Sequence, residues 1–354
     1  MDSPGLAGHD ATLDIMINPT FHSSIGEDIA AQLLGRHYGI VGAIDRLTAE
    51  RDCNFHVMPE GARPSDAIIF KVFGLSTHAD EPGLLAAILA FLAEAAPALP
   101  VPRLRPDQQG AAIISFRDQA DHARWAIAYS YLPGTPLFAV ERTLLQARQC
   151  GGLLAGLARA LAQFHHPAMH RDLIWDLRQV PRLRTLLPQI DDLPFAGFVH
   201  SFLDLFDRDV APRLALVPLQ FVHNDFNARN IIVDTVDPSR VIGIIDFGDA
   251  LHTARIADVA VGVIGQITTL DTARQAMNEF VAAYEAINPL SAEDTALLPA
   301  MVAARIVQNV VMTSWHRTRN PAGDHFAAFG PSYFEERVEF AKYLVAGIDD
   351  VKSR

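Results

Sequence analysis

The chain has 354 residues, half of them hydrophobic, and 41 acidic against 29 basic side chains give it a net charge of −12. This length and composition predict a folded protein of two lobes or domains. The negative charge argues against nucleic acid or an anionic membrane as a partner, and it is consistent with a cationic substrate. Two cysteines supply neither a disulfide framework nor metal-ligand spacing, so a reducing cytoplasm is the expected compartment.

The first segment, residues 1–24, is predicted to be a loose leader. It starts Met-Asp-Ser-Pro-Gly and lacks a basic stretch followed by an apolar core, so no secretory signal is expected. No apolar run approaches the length of a membrane span.

Residues 25–132 are predicted to form an N-terminal lobe rich in strands. Apolar spacing predicts a helix over 25–38 that Gly39 ends, and a second helix over 80–96 with Asp80 as its cap. Prolines between 97 and 106 break the chain. The predicted strands cover residues 42–47, 54–58, 67–73, 111–116 and 125–131.

Residues 133–354 are predicted to form a mainly helical lobe, and residues 131–134 to act as a hinge before it. The predicted helices cover residues 141–165 and 198–210 and begin near Ile256, Asp271, Asp294 and Tyr333.

The most informative run is residues 223–230, His-Asn-Asp-Phe-Asn-Ala-Arg-Asn, with Asp-Phe-Gly at 246–248. It places Asn230 five residues after Asp225, and Asp246 at the end of a following strand. Phosphoryl transfer needs this set, because one carboxylate accepts the proton of the attacking hydroxyl while an amide oxygen and a second carboxylate hold Mg²⁺. Either half alone is equally typical of loop residues that cap strands.

The flanking residues predict a β-hairpin that carries this set. Apolar strands are expected over 231–233 and 241–245, with a turn at 237–239 between them. A similar run, His-Arg-Asp-Leu at 170–173, lacks the Asn five residues after its Asp, since Leu177 stands there. Residues 170–177 are therefore interpreted as a connecting segment beside a substrate site.

Nucleotide contacts are predicted in the first lobe. Lys71 lies in an apolar strand, where lysine is depleted, so it is predicted to neutralise nucleotide phosphates. Glu81 is the early candidate for its ion-pair partner, although it is equally typical of a helix N-terminus. The chain has no Gly-rich phosphate loop, and the backbone N–H groups of the turn at 48–55, which includes Arg51 and Asn54, are the candidates for that role.

These motifs resemble the aminoglycoside phosphotransferase family of small-molecule kinases, over most of the chain. Within it, three stretches are similar to the hydroxylysine kinase branch; they lie at residues 50–57, 175–177 and 243–249. The resemblance implies an α+β, bilobal protein-kinase-like fold with a small β-rich N-lobe and a larger helical C-lobe. It also implies ATP or GTP as co-substrate, with Mg²⁺.

The resemblance also implies roles for single residues. Asp225 would be the catalytic base, Asn230 and Asp246 the Mg²⁺ ligands, and Lys71 the phosphate-binding cation. Residues 129–132, with Tyr131, would form the hinge whose backbone meets the nucleotide base. The family usually has Gly where Asn224 stands, and it has a clearly placed Glu in the helix after the lysine, which this chain lacks.

Four residues are candidates for substrate contact. Asp249 and Asp176 are predicted to face an ammonium group, and Trp175 to add a cation–π contact. Arg229 is predicted to contact a phosphate or a substrate carboxylate. The alternative is structural: Asp249 caps a turn, and Trp175 belongs to the core.

The favoured function is a kinase for a small amino alcohol or a hydroxylated amino acid, with hydroxylysine as the leading acceptor. Two alternatives stay open: a kinase that modifies aminoglycoside antibiotics, and a nucleotide-binding pseudokinase module. The sequence does not separate ATP from GTP, and it leaves the oligomeric state open.

Overall fold

The structure is a computed structural model that describes residues 25–49, 52–75, 77, 79–319 and 331–352. The chain divides into two compact units. The first contains the described residues up to Ala93 and the segment Pro102–Pro133; the second contains Glu94–Val101 and the described residues from Gly134 onward.

The first unit is a mixed layer of helices and one antiparallel sheet. Its elements are α1 (Glu27–Leu33, continued by a π-helical turn Leu34–Tyr38), β1 (Gly42–Leu47), β2 (Cys53–Pro59), β3 (Ile68–Val72), α2 (Glu81–Ala95), β4 (Leu104–Arg105), β5 (Ile114–Arg117) and β6 (Ala123–Ser130). The strand order is β1-β2-β3-β6-β4, and β5 also pairs with β6. Gly39 ends α1 in the left-handed conformation, with φ of 65°, as its position predicts.

One strand of this sheet lies where the sequence predicts only a break. In β4, Leu104 pairs with Tyr129 of β6. A strand this short at the edge of a sheet tolerates neighbouring prolines, because the missing N–H faces away from the ladder. The prolines therefore limit β4 to two residues without preventing the pairing.

A continuous apolar core lies under the sheet and fixes the position of β3. Phe55 and Phe70 are fully buried and pack with Tyr38 of the π-helical turn. All five residues of β3 are buried, which includes Lys71. The strand therefore holds this lysine in an apolar setting.

The second unit is mainly helical, with short paired strands. Its elements are β7 (Thr135–Pro136), α3 (Leu144–Leu161), α4 (Ala196–Leu205), α5 (Ala211–Leu214), β8 (Leu219–Val222), β9 (Ile231–Val233), β10 (Val241–Ile244), β11 (Leu251–Ala254), α6 (Arg255–Gln266), α7 (Leu270–Glu285), α8 (Ala292–Arg319) and α9 (Pro331–Lys352). The predicted helix over 141–165 begins and ends inside those limits. It starts after Thr143, whose side chain accepts from the N–H of Gln146 in a capping box.

Two antiparallel strand pairs position the two loops of the second unit that carry Asp225 and Asp246. The predicted hairpin of β9 and β10 is present, with a bulge between Val241 and Gly243. A second pair, β8 with β11, was not predicted. Residues 223–230 link β8 to β9, and residues 245–250 link β10 to β11. Both loops therefore run between the same two small sheets, one that contains β8 and β11 and one that contains β9 and β10.

Helix α8 corrects the expectation that no apolar segment has the length of a membrane span. Among the described residues it is the one helix that is long and apolar enough to cross a membrane. Within the protein, however, 78% of its apolar window is buried. Core helices pass the same test of length and composition, so α8 is interpreted as a buried core helix of the second unit.

Candidate functional site

Asp225 stands at the centre of a hydrogen-bond network in the loop after β8. The side-chain amide of Asn227 donates to its Oδ1 at 2.7 Å, and the amide of Asn230 donates to its Oδ2 at 2.7 Å. Arg305, from α8, donates to Oδ1 at 3.3 Å. The carboxylate is thus held in one orientation by three donors while 21% of its side chain remains exposed. This is the arrangement expected of a fixed base with an open side.

Negative charge accumulates around Asp225. Burial raises its pKa to about 8, and the neighbouring Asp249 and Asp246 add to the rise. Arg305 and the hydrogen bond from Asn227 act in the opposite direction. Three carboxylates close to a single arginine leave an excess of negative charge, which a bound cation relieves.

The predicted metal ligands are placed to offer oxygen atoms. The amide nitrogen of Asn230 donates to Asp225, so its Oδ1 is directed away from that carboxylate. Asp246 is exposed, with φ of 62°, and its Oδ1 accepts from the N–H of Gly248 at 3.1 Å. In the described parts of the chain no three His, Cys, Asp or Glu side chains form a metal cluster. Two oxygen donors fit Mg²⁺, which usually completes its shell with water and substrate phosphates.

His223 fixes the backbone of both loops. Its Nδ1 accepts from the N–H of Asp225 at 3.2 Å, and Nε2 lies 3.1 Å from the carbonyl of Ile245, next to Asp246. These partners require a neutral ring with the proton on Nε2. Burial lowers the pKa of His223 to about 4, against the opposing effect of Asp246.

The neutral state of His223 predicts a pH dependence of stability. Between pH 6.5 and about 4 the unfolded chain binds a proton at this ring that the folded protein does not. The free energy of unfolding should therefore rise with pH through this window, by about 3 kcal/mol from this group, and level off above it. Denaturant titrations of wild type and His223→Asn across the window measure this. A slope that is the same in both proteins would contradict the assignment, and His200→Asn, at an exposed position, is the control.

Asn224 occupies the position where the family usually has Gly, and the structure shows how it is accommodated. Its φ is 63°, a conformation that Asn adopts more readily than most residues. Asp258 of α6 accepts from the N–H of Asn224 at 2.8 Å and from that of His223 at 3.3 Å. The side-chain amide of Asn224 is buried, and neither of its polar atoms has a partner among the described residues. The backbone of the loop is therefore held by Asp258, as it would be with Gly.

In the first unit, Lys71 makes an ion pair that the sequence did not predict. Its Nζ lies 2.5 Å from Oδ2 of Asp52, and Oδ1 of Asp52 accepts from the N–H of Gly74. Glu81, the predicted partner, is the first residue of α2, and its pairing stays a prediction. Asp52 belongs to the stretch 50–57 that resembles the hydroxylysine kinase branch, but the resemblance by itself gave no role to this carboxylate.

Two other residues predicted to contact the nucleotide, Asn54 and Tyr131, lie in or next to strands of the same sheet. Asn54 lies directly opposite Lys71 in the β2–β3 ladder, and its Oδ1 is buried without a partner among the described residues. The N–H of Tyr131 donates to the carbonyl of Ala67, and its ring meets His56 edge to face. Arg51 lies outside the described residues. Contact of any of them with a nucleotide stays a prediction.

A double-mutant cycle tests whether Asp52 orients Lys71. Lys71→Met should raise the KM for nucleotide, and Asp52→Asn should do so partly, because it removes the carboxylate that fixes the ammonium. The two effects should be non-additive by about 0.5–3 kcal/mol. Asp45→Asn is the matched control, since that carboxylate is 75% exposed. Strict additivity of the two single effects would show that Asp52 acts independently of Lys71.

Arg305 is the main site residue that the sequence analysis missed. Its guanidinium donates to Asp225, to Gln308 and to the carbonyl of Trp175, and it lies 4.8 Å from the centre of the Trp175 ring. The cation–π contact predicted for a substrate at Trp175 is thus made by Arg305. The available signal was that Arg305 is the one Asp, Glu, Lys or Arg between Asp294 and Arg317 in an apolar stretch of α8.

Asp176 has structural partners on both oxygens. It is 1% exposed, accepts from Thr253 and from the backbone of Arg178 on Oδ1, and pairs with the Arg178 side chain on Oδ2. These contacts give Asp176 a positioning role, and its contact with a substrate stays a prediction. The segment 170–177 does line the site loops, since Arg171 donates to the carbonyl of Gly248.

The two remaining candidates for substrate contact, Asp249 and Arg229, lie in the second unit. Asp249 is close enough to raise the pKa of Asp225. The guanidinium of Arg229 lies 4.6 Å from the ring centre of Phe138. Their contacts with a substrate stay predictions.

The sequence matches one protein family over two thirds of its length. The phosphotransferase enzyme family, APH, matches residues 53–293. This confirms the family resemblance drawn from the motifs.

Curated relatives carry two kinase names. The hydroxylysine kinase of Mus musculus is 29% identical over 196 residues, which are 52% of this chain and 52% of the relative. The hydroxylysine kinase of Xenopus laevis is 23% identical over 86% of both chains. The homoserine kinase of Methylobacillus flagellatus is 32% identical over 38% of this chain and 43% of the relative. This chain spans little more than half the length of the hydroxylysine kinases of Mus musculus, Bos taurus and Danio rerio, at 52%, 55% and 57%.

Solved structures show the same fold at low identity. A microcompartment-associated aminopropanol kinase has a TM-score of 0.63 and 20% identity, covering 91% of this chain and 98% of its own. The amicoumacin kinase hAmiN, solved with AMP-PNP, Ca²⁺ and its antibiotic, has a TM-score of 0.66 and 15% identity, covering 90% and 93%. These likenesses confirm the predicted protein-kinase-like α+β fold.

Proposed function

Because the chain belongs to the phosphotransferase enzyme family, we propose that it transfers the γ-phosphate of ATP or GTP to a hydroxyl group of a small amino alcohol or hydroxylated amino acid. The observation that carries the proposal is the fixed carboxylate of Asp225, held by Asn227, Asn230 and Arg305 with one side open. The names of the relatives favour 5-hydroxylysine as the acceptor.

Asp225 acts as the base in this reaction. The acceptor hydroxyl donates its proton to the carboxylate as the oxygen forms a bond to the γ-phosphorus, and the bond from that phosphorus to the bridging oxygen of the nucleoside diphosphate breaks. The proton then resides on Asp225 until it leaves with solvent. A pKa raised toward neutrality suits this exchange better than that of an ordinary aspartate.

Asn230 and Asp246 would hold a Mg²⁺ ion through the oxygens described above, and the ion would supply positive charge against the nucleotide phosphates. Lys71 would bind phosphate oxygens in the first unit, with Asp52 fixing its ammonium. Asp249 would accept an ammonium group of the acceptor, which makes a cationic alcohol the preferred substrate class.

A coupled assay for nucleoside diphosphate release tests the proposal. ATP and GTP are each run with Mg²⁺ against 5-hydroxylysine, homoserine, ethanolamine, choline and kanamycin. Turnover with one amino alcohol or hydroxy amino acid supports the proposal and names the class. Turnover with kanamycin alone would favour an antibiotic kinase. Nucleotide binding without turnover on any alcohol would favour a pseudokinase module.

A further inference from the structure

A group of basic side chains borders the loop that carries Asp246 and Asp249. The members of this basic cluster are His165, His170, Arg171, Arg178 and His252. The rings of His170 and His252 meet edge to face with centres 4.8 Å apart. Arg178 donates to the carbonyl of His252, and Arg171 donates to the carbonyls of Gly248 and Ala250. The cluster is therefore tied directly to the site loop.

The cluster gathers basic groups in one place, although the protein has a net charge of −12. Burial lowers the pKa of His252, and His170, Arg178 and His165 lower it further by repulsion. Asp176 pairs with Arg178. A bound anion would offset this repulsion, because it favours the protonated form of the ring.

One polar atom of the cluster is a candidate for contact with a ligand. Nδ1 of His252 is buried, and it has no hydrogen-bond partner among the described residues. Buried polar atoms are nearly always satisfied, and one that is not costs stability unless a bound group supplies the partner. When Nδ1 carries the proton, it can donate a hydrogen bond to a carboxylate placed against it.

We infer that the basic cluster binds the carboxylate of an amino-acid substrate. The inference rests on the proposed function and narrows it. Asp225 and Asp249 would receive the hydroxyl and a neighbouring ammonium, and the basic cluster, which Arg171 ties to the loop that carries Asp249, would receive the carboxylate. In 5-hydroxylysine the hydroxyl and the side-chain ammonium are on adjacent carbons, and the carboxylate is at the far end of the chain. A plain amino alcohol has no group for the cluster, so it is the poorer substrate.

Comparing 5-hydroxylysine with its decarboxylated analogue, 1,5-diaminopentan-2-ol, tests this. Both offer the same hydroxyl beside the same ammonium, and they differ only at the end assigned to the cluster. Wild type should favour hydroxylysine in kcat/KM by about 10- to 100-fold, the value of one or two charge-assisted hydrogen bonds.

The variant His170→Glu sharpens the test, because the side chain of His170 is exposed and the change places a carboxylate in the cluster. The kcat/KM ratio of hydroxylysine to analogue should fall at least roughly tenfold, since the new charge repels a carboxylate and attracts the second ammonium. His252→Gln should lower the ratio in the same direction. The matched control His200→Glu, exposed on α4, should leave the ratio as in wild type.

The outcomes separate this inference from the proposed function. Equal use of both compounds by wild type, or an unchanged ratio in His170→Glu, overturns the inference while the kinase activity stands. Preferred turnover of an alcohol that lacks a carboxylate also overturns the inference and leaves the kinase activity standing. Absence of transfer to every alcohol overturns both.

Discussion

Replacing Asp225 with Asn should lower kcat by about 10²- to 10⁴-fold, the range measured for loss of a general base. The amide keeps the size of the side chain and one acceptor for Asn227 or Asn230, but it cannot take the proton of the attacking hydroxyl. Nucleotide should still bind, because its proposed contacts lie on other residues. Steady-state kinetics with the accepted alcohol and a nucleotide-induced shift in melting temperature measure the two effects separately.

Asp172→Asn is a matched control for this variant. Asp172 sits in the His-Arg-Asp run that imitates a kinase loop, yet its side chain is 61% exposed and pairs with Arg182. A surface pair of this kind contributes little, so kcat should change by no more than a few-fold. An Asp225→Asn enzyme that retained more than a tenth of wild-type kcat would remove Asp225 from the role of base.

Arg305→Met should produce the second largest loss, about 10²-fold in kcat. It removes the cation beside Asp225 and leaves Gln308 and the carbonyl of Trp175 without their donor. Since Arg305 lowers the pKa of Asp225, its loss raises that pKa further and leaves less of the ionised base at a given pH. The rise of kcat with pH should therefore move to higher pH, and a pH–rate profile measures the shift.

Two further variants separate charge from packing at Arg305. Arg305→Lys keeps the positive charge but lacks the planar guanidinium with its several donors. Its pH–rate profile should therefore lie close to that of wild type, while its kcat stays lower. The control Arg213→Met removes a surface arginine that pairs with Glu293 at 2.7 Å. It should change neither kcat nor the pH–rate profile. A pH profile unmoved in Arg305→Met would limit this residue to packing.

The parts of the site that the sequence predicted are those with local signals. Asp225 and Asn230 lie in the loop before β9 and Asp246 follows β10, and a hairpin of two short apolar strands needs only neighbouring residues to form. Lys71 was found in the same way, as a cation inside an apolar strand that proves fully buried.

The parts that were missed depend on contacts between distant residues. Arg305 is 80 residues from Asp225 along the chain, on a helix whose composition indicates only burial. Nothing near Trp175 shows that its ring faces this arginine, so a substrate cation was assigned there instead. The pairing of β8 with β11 joins four-residue strands, which are too short for a periodic pattern to identify.

The measurement that tests the central claim most directly is identification of the product formed from 5-hydroxylysine with Mg²⁺ and ATP or GTP. Phosphorus NMR and mass spectrometry of the quenched reaction should show a phosphomonoester on the hydroxyl carbon and equimolar nucleoside diphosphate. The Asp225→Asn enzyme should form neither at a comparable rate. Release of inorganic phosphate with hydroxylysine, homoserine and the amino alcohols all unmodified would contradict the account, because the nucleotide would then be hydrolysed without transfer to an alcohol.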